Sequence, residues 1–591
     1  MKDFLKHTLA TVFGITLFFV LITIITIIGT TAIIVGSQSS PAIEDKSVLV
    51  IKMSGIITEQ NEENILGEIT GNSFNQLGLN DILSAIKTAK EDKNIHGIYL
   101  ESGLLEANYA TLTEIRNALA DFKTTGKWVL SYSDIYSQGG YYLASVANKV
   151  YLNPHGMLDW HGLAAQPYYI KDLAEKFGVK YQVVKVGNYK SATEYYTETK
   201  MSDSNREQIT RYITGTWDKV CQDVSKSRKI NTATLNQYAD QYLLFEDARN
   251  VLKYQMVDQL VYASQMKQEI KKLLKLEDDA KVNEVSINTL NKNKTPDIGS
   301  ENNIAVYYAY GAIVQSQATG MLTQEHNIVA EDVCKDLEKL KENDDIKAVV
   351  IRINSPGGDA FASEQIWHQI GELKKKKPVV VSMGDYAASG GYYMSCHANW
   401  IVAQPNTLTG SIGIYGIIPD YSQLATSKLG VKFDEVKTNK HSAFGNVFAR
   451  PMNADETALL TAHIRRGYQL FRQRVADGRK LSVDQVEEIA QGRVWLGEDA
   501  KKIKLVDELG GLDVAVAKAA QLAKLTDYAT MEYPTPKSWI EQLLNMQVGG
   551  DELNAQLKQT LGHYYEPFML IRNINNSNMV QARMPMQLNI K

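Results

Sequence analysis

Cysteine is scarce. Only Cys221, Cys334 and Cys396 occur in 591 residues, widely spaced and without a CxxC pair or a companion histidine cluster. That spacing argues against both a disulfide framework and a structural zinc site, and no metal or cofactor is expected. An excess of charge is missing as well: 63 basic side chains stand against 67 acidic ones, a formal net of −4. Without a basic field, nucleic acid is not an expected partner.

Charge is also absent locally, since no ionisable side chain occurs from Thr8 to Ile43. The mostly apolar run from Phe13 to Val35 is long enough, at about 1.5 Å per residue, to cross about 30 Å of hydrocarbon. Ser37, Gln38 and Ser39 resemble a cleavage triplet, but the apolar run exceeds a signal-peptide core, so one transmembrane helix in the lipid bilayer is expected. Lys2 and Lys6 precede it and Glu44 and Asp45 follow it. The positive-inside rule then leaves the N-terminus cytoplasmic. In a bacterium the chain would be a single-pass protein of the inner membrane, with its bulk on the extracytoplasmic side.

With 44% apolar and 22% charged residues the chain is globular, and it is too long for one core. It repeats itself: GGYYLASVANKVYLNPHGMLDWHGL from Gly139 aligns with GGYYMSCHANWIVAQPNTLTGSIGI from Gly390, a shift of 251. The same shift pairs Ile95 with Ile346, Asp134 with Asp385 and Met201 with Met452, and after one extra residue GVKYQVVKV from Gly178 meets GVKFDEVKT from Gly430. Two homologous domains follow. Each opens on a β-branched run and alternates helical periods with short apolar strands, the pattern of α/β units. The expected organisation is an anchor over 1–46, a first repeat over 47–277, a polar linker over 278–303, a second repeat over 304–530 and a tail over 531–591.

Three runs of the second repeat carry chemistry. IRINSPGGDAFAS (Ile351 to Ser363) passes from a strand through Ser-Pro-Gly-Gly into a helical pattern, which would place the backbone N–H groups of Gly357 and Gly358 at a helix start, where they could hold an oxyanion; an ordinary Pro-Gly turn is the plain alternative. MGDYAASGGYYMS (Met383 to Ser395) and NTLTGSIGIYG (Asn406 to Gly416) gather small residues and hydroxyls around Ser411, with Gly410 and Gly413 allowing close approach. None of His326, His368, His397, His441 and His463 has a spacing that marks a triad partner for it.

The SPGG, AASGGYY and TLTGSIG runs, together with YKSA at Tyr189 to Ala192, resemble the signal peptide peptidase A family in its long, duplicated protease IV form, from about Val48 to Leu525. The resemblance implies an α/β fold of two tandem crotonase/caseinolytic-protease-like domains after the transmembrane helix. It implies a serine protease with Ser411 as nucleophile and Lys190 as general base, acting on cleaved signal peptides and other unfolded peptides, and assembled as a homotetramer. Such a lysine must be neutral, so its pKa must fall well below about 10.4.

The repeat alignment fits a shared site: 251 positions before Ser411 stands Trp160, and the counterpart of SPGG is Leu104 to Ala107, without glycine. The second repeat's counterpart of YKSA is Lys440 to Ala443, with His441 at the lysine's place. Asp359 puts a carboxylate beside the glycines. Other readings are a caseinolytic-protease-like enzyme with Ser389 in a Ser/His/Asp triad, a crotonase-type acyl-CoA enzyme, and an inactive membrane scaffold.

Overall fold

The computed structural model describes residues 43–61, 76–292, 302–316, 326–534 and 580–583, and the helical positions 18 and 21. The expected membrane anchor, most of the tail and part of the linker lie outside these. Among the described residues no helix is long and apolar enough to cross a membrane.

Each repeat builds its own largely parallel sheet, and six strands of each follow the same order. In the first it runs Asn283–Ser286, Ser47–Thr58, Ile95–Glu106, Trp128–Tyr136, Lys149–Leu158, Gln259–Leu260. In the second it runs Ala529–Tyr533, Asn303–Tyr310, Ile346–Ser355, Val379–Ala388, Trp400–Ala403, Glu508–Leu509. Even an irregularity is shared: register slips at Ser47/Val48 against Ile95, and at Ile346/Ala348 against Asn303. The strand Ile346–Ser355 is buried at nearly every position, because a parallel strand covered by helices on both faces has no polar side to show. Helix Ala360–Lys376 packs on one face and helix Leu512–Ala523 on the other.

A third, smaller sheet joins the repeats. Tyr415–Asp420 of the second repeat lies antiparallel to Lys180–Lys185 of the first, in unbroken register from Tyr415 opposite Lys185 to Asp420 opposite Lys180. On its other side Tyr415–Asp420 meets Val580–Arg583 from the tail, which also runs antiparallel to Gly357–Asp359.

The seam between the repeats contains a buried ion cluster. Arg352 of the second repeat donates through Nε to Glu59 at 2.9 Å and through Nη2 to Glu114 at 2.8 Å, both on the first repeat, and through Nη1 to Ser382 Oγ at 3.0 Å. Burial alone would lower the guanidinium's pKa; the two carboxylates outweigh it and hold it above its usual value. Glu59 also accepts from Asn354 and Glu114 from the backbone of Leu512. Asp385 adds a second tie, accepting from the backbone N–H and hydroxyl of Thr111 at 2.9 and 2.7 Å.

Candidate active site

The joining sheet decides which side chains meet. Lys190 follows the strand Lys180–Lys185 by five positions, and Ser411 precedes Tyr415–Asp420 by four; antiparallel pairing of the strands therefore brings them together at one end. Lys190 Nζ donates to Ser411 Oγ at 3.0 Å, to the Ser411 carbonyl at 3.0 Å, and to Ser389 Oγ at 2.7 Å. All three residues are fully buried.

Glycines make room for the lysine. A Cβ on Gly492 would stand 2.6 Å from Lys190 Cβ, and one on Gly413 would stand 3.3 Å from Lys190 Cδ. Backbone bonds fix the approach, with Tyr189 N–H donating to Gln491 at 3.0 Å and Ser411 N–H to Arg493 at 2.7 Å. Walled in this way, and with three uncharged oxygens as its acceptors, the amine loses hydration that only its charged form needs. Burial pushes the Lys190 pKa well below its ordinary value. The site thus holds a lysine shifted toward the neutral form, able to take a proton from a hydroxyl.

The two serines differ in setting. Ser389 stands between the strand Val379–Ala388 and the helix Gly390–Ser395 with φ 56° and ψ −112°, the strained strand–turn–helix elbow on which serine nucleophiles are carried. Its backbone is pinned, the N–H to Gly410 and the carbonyl to Tyr393, each at 2.8 Å. Ser411 also has a positive φ, 50°, but it engages the lysine twice, by carbonyl and by hydroxyl. The elbow, moreover, abuts the glycine turn: a Cβ on Gly391 would lie 2.9 Å from the Ser355 carbonyl. Among the described residues no histidine bonds Ser389, so the Ser/His/Asp triad considered from the sequence is not formed there.

Gly357 and Gly358 do not open a helix. They form the short strand Gly357–Asp359, and the helix begins at Ala360 because the Asp359 carboxylate caps it, accepting from the Ala362 N–H at 2.7 Å. Gly357, at φ 100°, donates its N–H to Ser355 Oγ at 3.1 Å, and a Cβ on Gly358 would collide with the Ile313 carbonyl at 2.1 Å. Lys440 and His441 play no comparable part: Lys440 is exposed and ion-paired with Asp455.

In the first repeat the corresponding places are filled. Trp160 is buried and donates to the Leu235 carbonyl at 2.9 Å. Gln138, at the repeat position of Ser389, accepts from the N–H groups of His161 and Gly162 at 2.9 Å each and donates to the Gly162 carbonyl at 3.0 Å. Its amide knits together the backbone that in the second repeat borders the lysine. The sequence signal for Ser389 was the same alignment, SGGYY against QGGYY.

Residues 121–277 and 371–526 each match peptidase family S49, and residues 300–407 match the Clp protease family. The chain is 36% identical over 532 residues to Protease 4 of Salmonella typhi, covering 87% of this chain and 84% of that one. The chain belongs to peptidase family S49. This S49 peptidase is also 34% identical over 507 residues to Protease 4 of Haemophilus influenzae, covering 82% and 81% of the two chains. It is 32% identical over 483 residues to the chloroplastic serine protease SPPA of Arabidopsis thaliana, covering 81% and 69%. Like these relatives it is a serine protease, with the two tandem S49 regions falling one in each repeat.

Proposed function

We propose that the chain is a membrane-anchored Ser/Lys endopeptidase that degrades cleaved signal peptides and other unfolded peptides. The observation that carries the catalytic reading is the buried Lys190 amine bonded to the hydroxyls of Ser389 and Ser411. Lys190 is the general base, as the sequence suggests. The nucleophile is reassigned from Ser411 to Ser389. Its hydroxyl has the shorter bond to the amine, it sits on the strained elbow, and the elbow packs against the turn that carries Gly357 and Gly358. Ser411 orients the amine through its carbonyl and hydroxyl.

In this mechanism Ser389 Oγ attacks the scissile carbonyl carbon while its proton passes to Lys190 Nζ. The developing oxyanion would be met by backbone N–H groups of the Gly357–Gly358 segment, the Gly357 N–H giving up its bond to Ser355 Oγ as it does so. The Lys190 ammonium then protonates the leaving amine, and the resulting ester is hydrolysed by a water that gives its proton to Lys190 in turn. The tail strand Val580–Arg583, paired on both sides, supports an extended peptide as the shape of ligand.

Anchoring through the apolar run 13–35, with the repeats outside the cytoplasm, would keep the site near membrane-borne peptides, and a homotetramer is the proposed assembly. A fluorophosphonate label followed by peptide mass mapping tests the catalytic reading. Label on Ser389 that disappears in Lys190→Ala is expected; label on Ser411 would restore the other assignment, and label on neither would remove the dyad. Mass measurement in detergent tests the tetramer.

A further inference from the structure

The turn that carries Lys190 is tied to the start of the helix Asp203–Arg228. Ser202 caps that helix, its Oγ accepting from the Asn205 N–H at 3.2 Å. Asn205 reaches back to the turn: its Oδ1 accepts from Ser191 Oγ at 2.9 Å and its Nδ2 donates to Glu194 at 3.0 Å. The buried Glu194 carboxylate completes the tie by accepting from the N–H and the hydroxyl of Ser202 at 3.2 and 2.6 Å. All of these groups belong to the first repeat, so they fix the lysine's turn to its own domain and leave open what fixes it to the serines of the other.

Gln208, on the same helix and only 2% exposed, crosses the seam. Its Nε2 donates to the Tyr189 carbonyl at 3.1 Å and to Ser191 Oγ at 2.9 Å, the two neighbours of Lys190. Its Oε1 accepts from the Val494 N–H at 3.3 Å. A carbonyl only accepts and a backbone N–H only donates, so these partners decide which end of the amide is which. Val494 lies opposite Gly410 in the antiparallel pairing of Val494–Leu496 with Leu408–Gly410. The Gly410 carbonyl accepts from the Ser389 N–H at 2.8 Å, and the carbonyl of Arg493, next to Val494, accepts from the Ser411 N–H at 2.7 Å. One amide therefore links both neighbours of the lysine to the segment that holds the backbone of both serines. The repeat does not call for it: 251 positions later stands Leu459, which is exposed.

We propose that Gln208 is a positioning residue for the Ser/Lys reaction, its amide setting how far Lys190 Nζ stands from Ser389 and Ser411 and holding the seam closed beside the amine. The proposal deepens, and rests on, the reading of Lys190 as general base. Glutamine suits the place because both of its ends are used, one as donor and one as acceptor. Glutamate has the same shape, but an ionised carboxylate cannot donate to the Tyr189 carbonyl, and methionine bonds neither partner. A misplacement of about 1 Å can cost about a hundredfold in rate. An amine that regains water also regains its preference for the proton, so a loosened seam leaves less of the base in its neutral form at a given pH.

The test compares the pH dependence of peptide hydrolysis by the full-length wild type, Gln208→Met, Gln208→Glu and Arg211→Met. Arg211, on the next turn of the helix, ion-pairs across the same seam with Asp499 at 2.7 Å, so its loss shows what weakening the seam alone does. Gln208→Met should lower kcat at neutral pH by about ten- to a hundredfold with KM unchanged, and should move the rising limb of kcat to higher pH. Gln208→Glu should move that limb further, because a negative charge beside the amine favours its protonated form. Arg211→Met should leave the limb and kcat where they are in the wild type, whatever it does to the thermal midpoint. A folded Gln208 variant with the wild-type limb, or a limb moved as far by Arg211→Met, overturns the positioning role and leaves the dyad standing. Hydrolysis by Lys190→Ala at the wild-type rate would instead overturn the dyad itself.

Discussion

Lys190 Nζ lies 2.7 Å from Ser389 Oγ, across a separation of 199 positions in the chain. Under the proposed mechanism Ser389→Ala removes the attacking hydroxyl, and Ser411→Ala removes one of the two Ser411 groups that accept from Lys190 Nζ. The first should lower kcat/KM by about a thousandfold or more. The second should cost about ten- to a hundredfold, because the Ser411 carbonyl still accepts from the amine. Steady-state hydrolysis of an unstructured peptide separates the two, and equal losses would count against the assignment.

The pH profile follows from the direction of the Lys190 shift. Burial holds the amine's folded pKa well below its ordinary value; below the folded pKa the amine is protonated and cannot accept from Ser389. Therefore kcat/KM should rise as pH climbs through that pKa and then level off. Stability moves the same way: between the folded value and the unfolded value of about 10.4 the unfolded chain binds the extra proton, so the native state gains as pH rises. Lys190→Met should abolish hydrolysis and, measured by thermal unfolding at neutral pH, raise the midpoint.

Arg352 is sandwiched between Glu59 and Glu114 with all three side chains buried. Replacing it by methionine leaves two carboxylates facing each other in a dry seam, at a cost of about 3–5 kcal/mol. Arg352→Met combined with Glu59→Gln and Glu114→Gln should recover much of that loss. Urea unfolding of the single and triple variants checks both statements.

Val580–Arg583 lies between Gly357–Asp359 and Tyr415–Gly416, where an extended substrate would add itself as a strand. A chain ending before Val580 should then bind peptides more tightly, with KM lower by about tenfold and kcat little changed. An unaltered KM would mean that the tail does not compete with substrate.

The duplication was legible because GGYY and the apolar strands recur at a constant shift, and strands buried on both faces leave long apolar runs such as Ala348 to Ile353. Lys190 was found only through YKSA; nothing in composition distinguishes it from other lysines. The choice between the serines was not legible, since it depends on a positive φ at Ser389 and on which elbow packs against Ser355. The Ser-Pro-Gly-Gly pattern reads as a helix start, but Asp359 caps the helix and leaves Gly357 and Gly358 in a short strand before it. The Arg352 cluster was invisible, its three members having no periodic relation along the chain.

The pairing of Lys180–Lys185 with Tyr415–Asp420 also sets a clock. As the chain is made, Lys190 leaves the ribosome before Ser389, and the intervening 199 positions take about 10–40 s at about 5–20 residues per second. Throughout that interval the lysine is hydrated, charged and without its serine. If the proposed dyad is the catalytic one, proteolytic competence cannot precede synthesis of the second repeat, however early the first repeat folds.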